Sequence, residues 1–198
     1  MRIVLCHNCI SWVPLDAELC PDCHRPLDLN EPDPTAADLD ERLGEARWRL
    51  GTVRCERKQL PSQGLLLGTT GGLMFLPEVI ALPNGALQGV EGPVERFWPL
   101  PRWWSLWGRR APVVPQIREP YLELNRLGER FLSAPGALFV PREQLIRAAL
   151  SGRMWTVSRT VGRTLRFTAL SPAEEARQAW REMLSHDPAW RQLAAAGR

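Results

Sequence analysis

The sequence lacks any stretch of about 18 uncharged apolar residues, so we expect no helix that spans a membrane. Its first residues, MRIVLCHNC, become polar too soon for the apolar region of a signal peptide. The cysteine pairs described below need a reducing compartment to serve as thiolate ligands. Together these features predict an intracellular protein, and we expect it in the cytoplasm.

Motifs of the common enzyme classes are also missing. The G-x4-G-K-[ST], G-x-S-x-G and H-E-x-x-H patterns do not occur. The segment from Gly68 to Gly72 lacks the lysine of a phosphate-binding loop and is better explained as a hairpin turn. Of the three histidines, two stand beside cysteines, which leaves only His186 for proton transfer. We therefore expect that this protein is not an enzyme.

Charge is distributed unevenly behind a net value of +3. Residues 1–45 carry ten acids and three bases, whereas residues 46–198 carry twelve acids and twenty-two bases. A positively charged binding surface is therefore predicted on the larger part of the chain. With 198 residues and 44% hydrophobic residues, the chain suffices for one ordinary domain and a small appendage.

Four cysteines near the start form two C-x2-C pairs: Cys6, Cys9, Cys20 and Cys23. Two tight turns of this kind supply the tetrahedral thiolate set of a closed Zn²⁺ site. Zinc is the predicted metal, with an iron site of rubredoxin type or a pair of disulfides as the alternatives. Because cysteine fills all four positions, none is open for water or substrate, and we expect a structural metal.

The stretch from Cys6 to Leu27 resembles the short zinc ribbons found at the ends of many prokaryotic proteins. The likeness rests on the two cysteine pairs, on Val13-Pro14 and Ala17 between them, and on Pro26-Leu27 after them. Such ribbons usually carry glycine after each pair, where this chain has Ile10 and His24.

The linker and the β pattern follow the ribbon. Residues 28–35 are acidic and contain two prolines, and Thr35 is predicted to cap a short helix that runs through Leu43 and ends near Gly44. From Arg47 onward the pattern is mostly that of strands. Strands are predicted around 48–53, as two strands within 64–76 around a Gly/Thr turn, and at 78–82, 138–140, 153–159 and 164–168.

The clearest predicted helix begins near residue 171. Ser171 is the expected N-cap and Pro172 the first helical residue. The apolar face comprises Ala176, Trp180, Met183 and Leu184. Asp187-Pro188 should end the helix and begin a short terminal turn that carries Trp190 and Leu193.

Residues 46–190 resemble bacterial domains of the pleckstrin-homology (PH) and GRAM type. The segment from Gly64 to Pro77 is similar to their opening hairpin, "G-x-L-x-x-T-x-x-x-L-x-F-x-P", and Phe139 to Ile146 is similar to their entry to a late strand. The resemblance implies a seven-stranded, strongly bent β-sandwich, closed at one end by a C-terminal helix. It further implies a scaffold for lipid or protein docking and transfers no catalytic residue.

An insertion near residues 93–118 is rich in tryptophan, proline and arginine. No acid occurs between Glu95 and Glu119. Indoles favour the membrane–water boundary, and guanidinium groups bind phosphate, so the segment is predicted to dock on an anionic membrane surface. The same residue types dominate protein interfaces and also bind single-stranded nucleic acid, and they could instead cover the core. The predicted contact residues are Arg96, Phe97, Trp98, Arg102, Trp103, Trp104, Trp107, Arg109 and Arg110.

We therefore predict an α+β, mostly β protein with two modules. Residues 1–29 form the zinc ribbon, residues 30–45 an acidic linker with a short helix, and residues 46–190 a PH/GRAM-like domain. The predicted function is that of a non-catalytic adaptor, peripheral at a membrane or part of a protein assembly. A nucleic-acid-binding protein that uses the ribbon and the arginine-rich face is the alternative. A second basic stretch, 142–166, is predicted to be a solvated sheet face or a phosphate-binding patch.

Overall fold

The computed structural model describes residues 3–14, 17–21, 23–27, 32, 34–55, 62–81, 87–89, 126–134 and 136–195. The predicted Trp/Arg docking segment lies outside these residues. Within them, no helix has the length and apolar character needed to cross a membrane.

The described chain is mostly β with four helices, as the sequence predicts. The helices are α1 (Ala36–Leu43), α2 (Leu127–Ser133), α3 (Ala173–His186) and α4 (Pro188–Ala195). The strands are β1 (Ile3–Cys6), β2 (Ser11–Pro14), β3 (Ala46–Cys55), β4 (Ser62–Thr69), β5 (Gly72–Ala81), β6 (Leu87–Gly89), β7 (Leu138–Pro141), β8 (Leu145–Ser151), β9 (Met154–Arg159) and β10 (Leu165–Ala169). They form one antiparallel sheet in the order β1-β2-β7-β5-β4-β3-β10-β9-β8, with β6 paired to β5.

The inner face of the sheet forms the main core. Strands β7 and β8 stand far apart in the strand order, yet only the short turn Arg142–Gln144 joins them, so the sheet is strongly bent. Helix α3 fills the space between the two halves with Ala176, Trp180 and Met183, which confirms most of the predicted apolar face.

Among the described residues, the outer face of the sheet is covered over β4, β5 and β7 and not over the other half. There a second core forms between the sheet, helices α1 and α2, and the start of the chain. Alternation along the strands separates the two cores, because successive side chains point to opposite faces. The outer core contains Leu5, Ile10, Leu39, Leu43, Leu65, Leu67, Met74, Leu76, Leu127, Phe131, Ala134, Ala137 and Phe139.

Helix α1 begins and ends where the sequence predicts. The Thr35 side chain accepts a hydrogen bond from the backbone N–H of Asp38, whose carboxylate accepts one from the N–H of Thr35 in return. This reciprocal capping box satisfies two N–H groups that the helix would otherwise leave unpaired. Gly44 follows the helix at φ 68°, and its N–H donates to the carbonyl of Asp40.

Two predicted boundaries are wrong. Residues 78–82 are not a separate strand, because β5 continues through Pro77 to Ala81. The ladder shifts register opposite Pro77, at Gly64, and such a bulge accommodates a residue without an N–H donor. Helix α3 starts at Ala173 with Pro172 as its N-cap, so Ser171 is not the cap.

The C-terminal end is fastened to the sheet by a cluster around Arg142. Its guanidinium donates to the Asp187 carboxylate at 2.7 Å and lies 5.5 Å from the centre of the buried Trp190 ring. Asp187 also accepts a hydrogen bond from the N–H of Ala189 and so caps α4. The predicted terminal turn at Asp187-Pro188 is therefore a full helix whose indole is buried in the main core.

Candidate metal centre

The four predicted ligands come together at the start of the chain. The sulfur atoms of Cys6, Cys9, Cys20 and Cys23 all lie within 4.8 Å of one another, and all four side chains are buried. The Sγ atoms of Cys6 and Cys23 are 3.6 Å apart, and those of Cys9 and Cys20 are 3.5 Å apart. Four sulfurs at a Zn–S distance of about 2.3 Å would stand about 3.8 Å apart in a tetrahedron. The cluster therefore fits a metal ion of this size.

Each cysteine pair forms the same tight turn. The N–H of Ile10 donates to the carbonyl of Cys6, and the N–H of His24 donates to the carbonyl of Cys20, both at 2.8 Å. The N–H of Cys23 also points at the Cys20 sulfur, at 3.5 Å. Such turns place two sulfurs side by side and aim backbone N–H groups at them, which stabilises thiolates.

The residue after each pair has a left-handed backbone. Ile10 has φ 51° and His24 has φ 58°, and these are the only non-glycine residues with positive φ in the described part of the chain. Each turn thus adopts a conformation that favours glycine, and a side chain there adds backbone strain. Ile10 is completely buried in the outer core, whereas His24 is exposed.

The thiols influence each other strongly in the absence of a cation. Hydrogen bonds from Cys20 and Cys9 stabilise the Cys6 thiolate and lower the pKa of that group. The pKa of Cys9 is raised, because its hydrogen bonds to Cys20 and Cys6, together with burial, favour the protonated form. A cation among the four sulfurs would favour the thiolate form of all four cysteines, including Cys9.

The ribbon is packed onto the sheet at several points. Strand β2 pairs with β7 through Ser11 and Leu138, and the Arg42 guanidinium of α1 donates to the carbonyl of His7 at 3.0 Å. Val161, in the turn between β9 and β10, also packs against the cysteine cluster. The contacts from Arg42 and Val161 were not predicted, because nothing in the sequence joins residues so far apart. The predicted domain boundaries at 29 and 45 stay a prediction.

The second basic stretch is divided among several environments. Arg142 belongs to the C-terminal cluster, and Arg159 is buried, with Nε donating to the carbonyl of Arg163 at 3.0 Å. Arg153 donates to the carbonyls of Ala169 and Leu170 beside the turn between β8 and β9. Three exposed arginines of this stretch form no ion pair with another described residue: Arg147, Arg163 and Arg166.

The predicted docking residues from Arg96 to Arg110 lie outside the described residues, so their role stays a prediction. The chain matches no protein-family model, no curated protein and no solved structure. What the described geometry establishes is a buried cluster of four cysteines that could hold a metal ion and that lies against a mostly β fold.

Proposed function

We propose that this chain is a non-catalytic docking protein of the cytoplasm, peripheral at an anionic membrane surface. In this proposal a structural Zn²⁺ holds the ribbon on a PH/GRAM-like domain, and the segment of residues 93–118 makes the membrane contact. The observation that carries the proposal is the strand order of the larger part.

Seven strands run in the order β7-β5-β4-β3-β10-β9-β8, and a C-terminal helix packs between the two halves. In this order the first strand of the domain, β3, lies beside its last strand, β10, at the centre of a bent sheet. This arrangement supports the seven-stranded, helix-closed sandwich that the resemblance to PH and GRAM domains implies. Domains of that type serve as scaffolds for lipid or protein docking.

Zinc is the metal that the donor set favours. Four thiolates form a soft ligand field, which suits Zn²⁺ and iron better than magnesium or calcium. With four buried sulfurs, no coordination position is left for a substrate. When bound, the ion would crosslink the two cysteine turns. Two residues of the chain attach the crosslinked turns to the sheet: Ile10 packs into the outer core, and Ser11 pairs with β7.

Metal content tests the zinc part of the proposal. Protein purified without chelator should contain about one zinc per chain by mass spectrometry of the elements, and Cys20→Ser should abolish it. Cys55 is also buried but lies in the main core away from the cluster, so Cys55→Ser is the matched control and should retain zinc. Iron with a rubredoxin-type visible spectrum, or protein without free thiols, would contradict the assignment.

Co-flotation with liposomes tests the docking part. The zinc-loaded chain should float with vesicles that contain anionic lipid and should not float with neutral vesicles. A variant with Trp103, Trp104 and Trp107 changed to alanine should lose flotation while it keeps zinc and its melting temperature. Changing the buried Trp155 to phenylalanine is the matched control, because that indole lies in the core.

Absence of flotation in the parent chain would refute membrane docking. A pull-down that depends on the same three tryptophans would then assign the segment to a protein assembly. Binding to an oligonucleotide that falls log-linearly with salt would favour the nucleic-acid alternative.

A further inference from the structure

The outer face of the sheet changes character at β3. Over β4, β5 and β7 it is apolar and covered by the ribbon, α1 and α2. Over β10, β9 and β8 the same face carries polar and basic side chains, and among the described residues no buried cluster forms on it. Helix α4, which contacts β8, packs into the main core through Trp190. We call this second half, with its residues Arg54, Arg147, Met154, Thr156, Ser158, Arg166 and Thr168, the basic face.

Strand register places these residues on one side of the sheet. Arg54 lies opposite Thr168, Arg166 lies opposite Thr156, and Arg147 lies opposite Ser158. Paired residues of an antiparallel ladder project from the same face. Their neighbours along each strand, such as Val53, Val157 and Phe167, are buried in the inner core, so the basic face must point outward.

The three arginines form a diagonal line across four strands. With about 4.8 Å between strands and about 3.4 Å per residue along them, the Cα atoms of Arg54 and Arg166 stand about 8 Å apart. Those of Arg166 and Arg147 stand about 12 Å apart by the same geometry. The hydroxyl groups of Thr156 and Ser158 lie between them.

No acid balances this charge. Strands β8, β9 and β10 contain no aspartate or glutamate, and the sequence has none from residue 144 to residue 173. None of the three guanidinium groups forms an ion pair with another described residue. Guanidinium groups and hydroxyls at this spacing are suited to several phosphate groups at once.

Two aliphatic side chains are exposed beside the arginines. Met154, on the basic face, is 40% exposed, and Ile146, at the bulge that precedes Arg147, is 50% exposed. The outward positions of β8, β9 and β10 that the structure describes include no aromatic residue. Binding to single-stranded nucleic acid usually relies on aromatic stacking, whereas a lipid surface accepts arginine together with aliphatic contacts.

A row of paired residues connects the basic face with Gly89. Gly89 is the last described residue before the Trp/Arg segment, and the row that begins there crosses the sheet. About three strand spacings, roughly 14 Å along the sheet, separate it from Arg54. In order, the row contains Gly89, Val79, Gln63, Arg54, Thr168 and Met154.

We propose that the basic face is a second membrane contact that binds the phosphate groups of an anionic bilayer. This inference rests on the proposed function, because a single short Trp/Arg segment would attach only weakly. Two contacts on one chain act with a high effective concentration and so give firmer attachment than either alone.

Vesicle partition of the full, zinc-loaded chain tests this inference. The vesicles contain either phosphatidylcholine alone or phosphatidylcholine with about 30% phosphatidylserine, which gives them a physiological negative surface potential. The test variant is the double change R147Q/R166Q. The matched control is R177Q/R181Q, which removes the same charge from exposed arginines of α3 that pair with Glu174. Circular dichroism verifies that every variant is folded.

Each arginine near such a surface strengthens binding about fivefold, so R147Q/R166Q should weaken partition about 25-fold. R177Q/R181Q should change it less than about threefold, because those side chains are on another face. Salt at about 0.5 M screens the charges and leaves the apolar contact. The double change I146S/M154S should therefore weaken the binding that remains at this salt concentration.

Equal loss in R147Q/R166Q and R177Q/R181Q would overturn the inference, because net charge alone would then explain the binding. If R147Q/R166Q binds like the parent while the triple tryptophan variant does not, the basic face fails and the proposed function stands. If the parent chain binds no vesicles, both fail. The chain could instead bind a single strand of about 20 nucleotides, which is long enough to cross the face, and bind no vesicles. If that binding depended on the arginines, it would assign the face to nucleic acid.

Discussion

Glycine substitution at the two left-handed turn residues, Ile10 and His24, should have opposite effects on zinc affinity. Both residues follow a cysteine pair and have nearly the same φ, 51° and 58°. A non-glycine residue in this conformation costs about 1–2 kcal/mol. Glycine removes that strain but makes the unfolded chain more flexible, at a cost of about 0.4–1 kcal/mol. The backbone change alone should therefore stabilise the turn by about 0.5–1 kcal/mol at either position.

The side chains decide the difference between the two sites. His24 is exposed, so its loss removes little packing, and His24→Gly should tighten zinc binding about two- to fivefold. Ile10 is completely buried in the outer core, and removal of such a side chain costs about 2–5 kcal/mol. Ile10→Gly should thus weaken zinc binding by about tenfold to a thousandfold.

Competition with a chromophoric zinc chelator at fixed pH measures both effects, because folding of the ribbon is coupled to metal binding. Ile10→Ala serves as the control that removes the packing and keeps the strained backbone, and it should weaken binding more than Ile10→Gly. If both glycine variants tighten binding equally, Ile10 does not anchor the ribbon on the sheet. If His24→Gly weakens binding, the left-handed turn is not strained in solution.

Three further predictions concern the helices and the β4–β5 turn. Thr35→Ala should cost about 1 kcal/mol in urea unfolding, because the helix loses its N-cap. The hydrogen bonds from Thr35 to the Asp38 carboxylate lower the pKa of Asp38, so their part of the effect is complete above the ordinary aspartate pKa and is lost as pH falls through the lowered folded value. An effect of Thr35→Ala that is the same in acid as at neutral pH would contradict these bonds. Gly71→Ala should cost about 1–3 kcal/mol, since a Cβ there would collide with the last carbonyls of α1. Gly152 has open space around it at φ 59°, so Gly152→Ala should cost only its backbone strain. Equal losses in the two variants would contradict the close contact of the β4–β5 turn with α1. Trp190→Ala should cost about 3–5 kcal/mol by thermal or urea unfolding, and a loss below about 1 kcal/mol would mean that α4 is not anchored in the core.

Local features of the sequence predict local structure well in this protein. The spacing of four cysteines is sufficient to predict a metal-binding cluster, because two short turns carry all the ligands. The N-cap at Thr35 and the strands at β9 and β10 likewise depend on neighbours in sequence, and the structure confirms them. The Trp/Arg segment stays a prediction, since it lies outside the described residues.

The errors arise where distant residues complete an element. Helix α2 was not predicted, and its N-terminus has no side-chain cap of its own. The Asp40 carboxylate of α1 instead accepts the hydrogen bond from the N–H of Gly128 at 2.7 Å. Gly128 also lies so close to the carbonyl of Ala36 that a Cβ would clash, so the helix depends on its contact with α1. Pro77 stays within β5 for a similar reason, because the bulge next to it, at Glu78 of β5, is defined only by the pairing of β5 with β4.

The sequence by itself determined the composition of the metal cluster, the predominance of strands and the positive charge of the larger part. Those properties depend on residue type and on spacings of a few residues. Only the tertiary structure decided which half of the outer face is covered. Leu65 and Met74 face outward, as Arg54 and Arg166 do, but the ribbon and two helices cover only the first pair. Alternation along a strand assigns a residue to a face, whereas the folding of distant segments onto that face decides whether solvent or another element meets it.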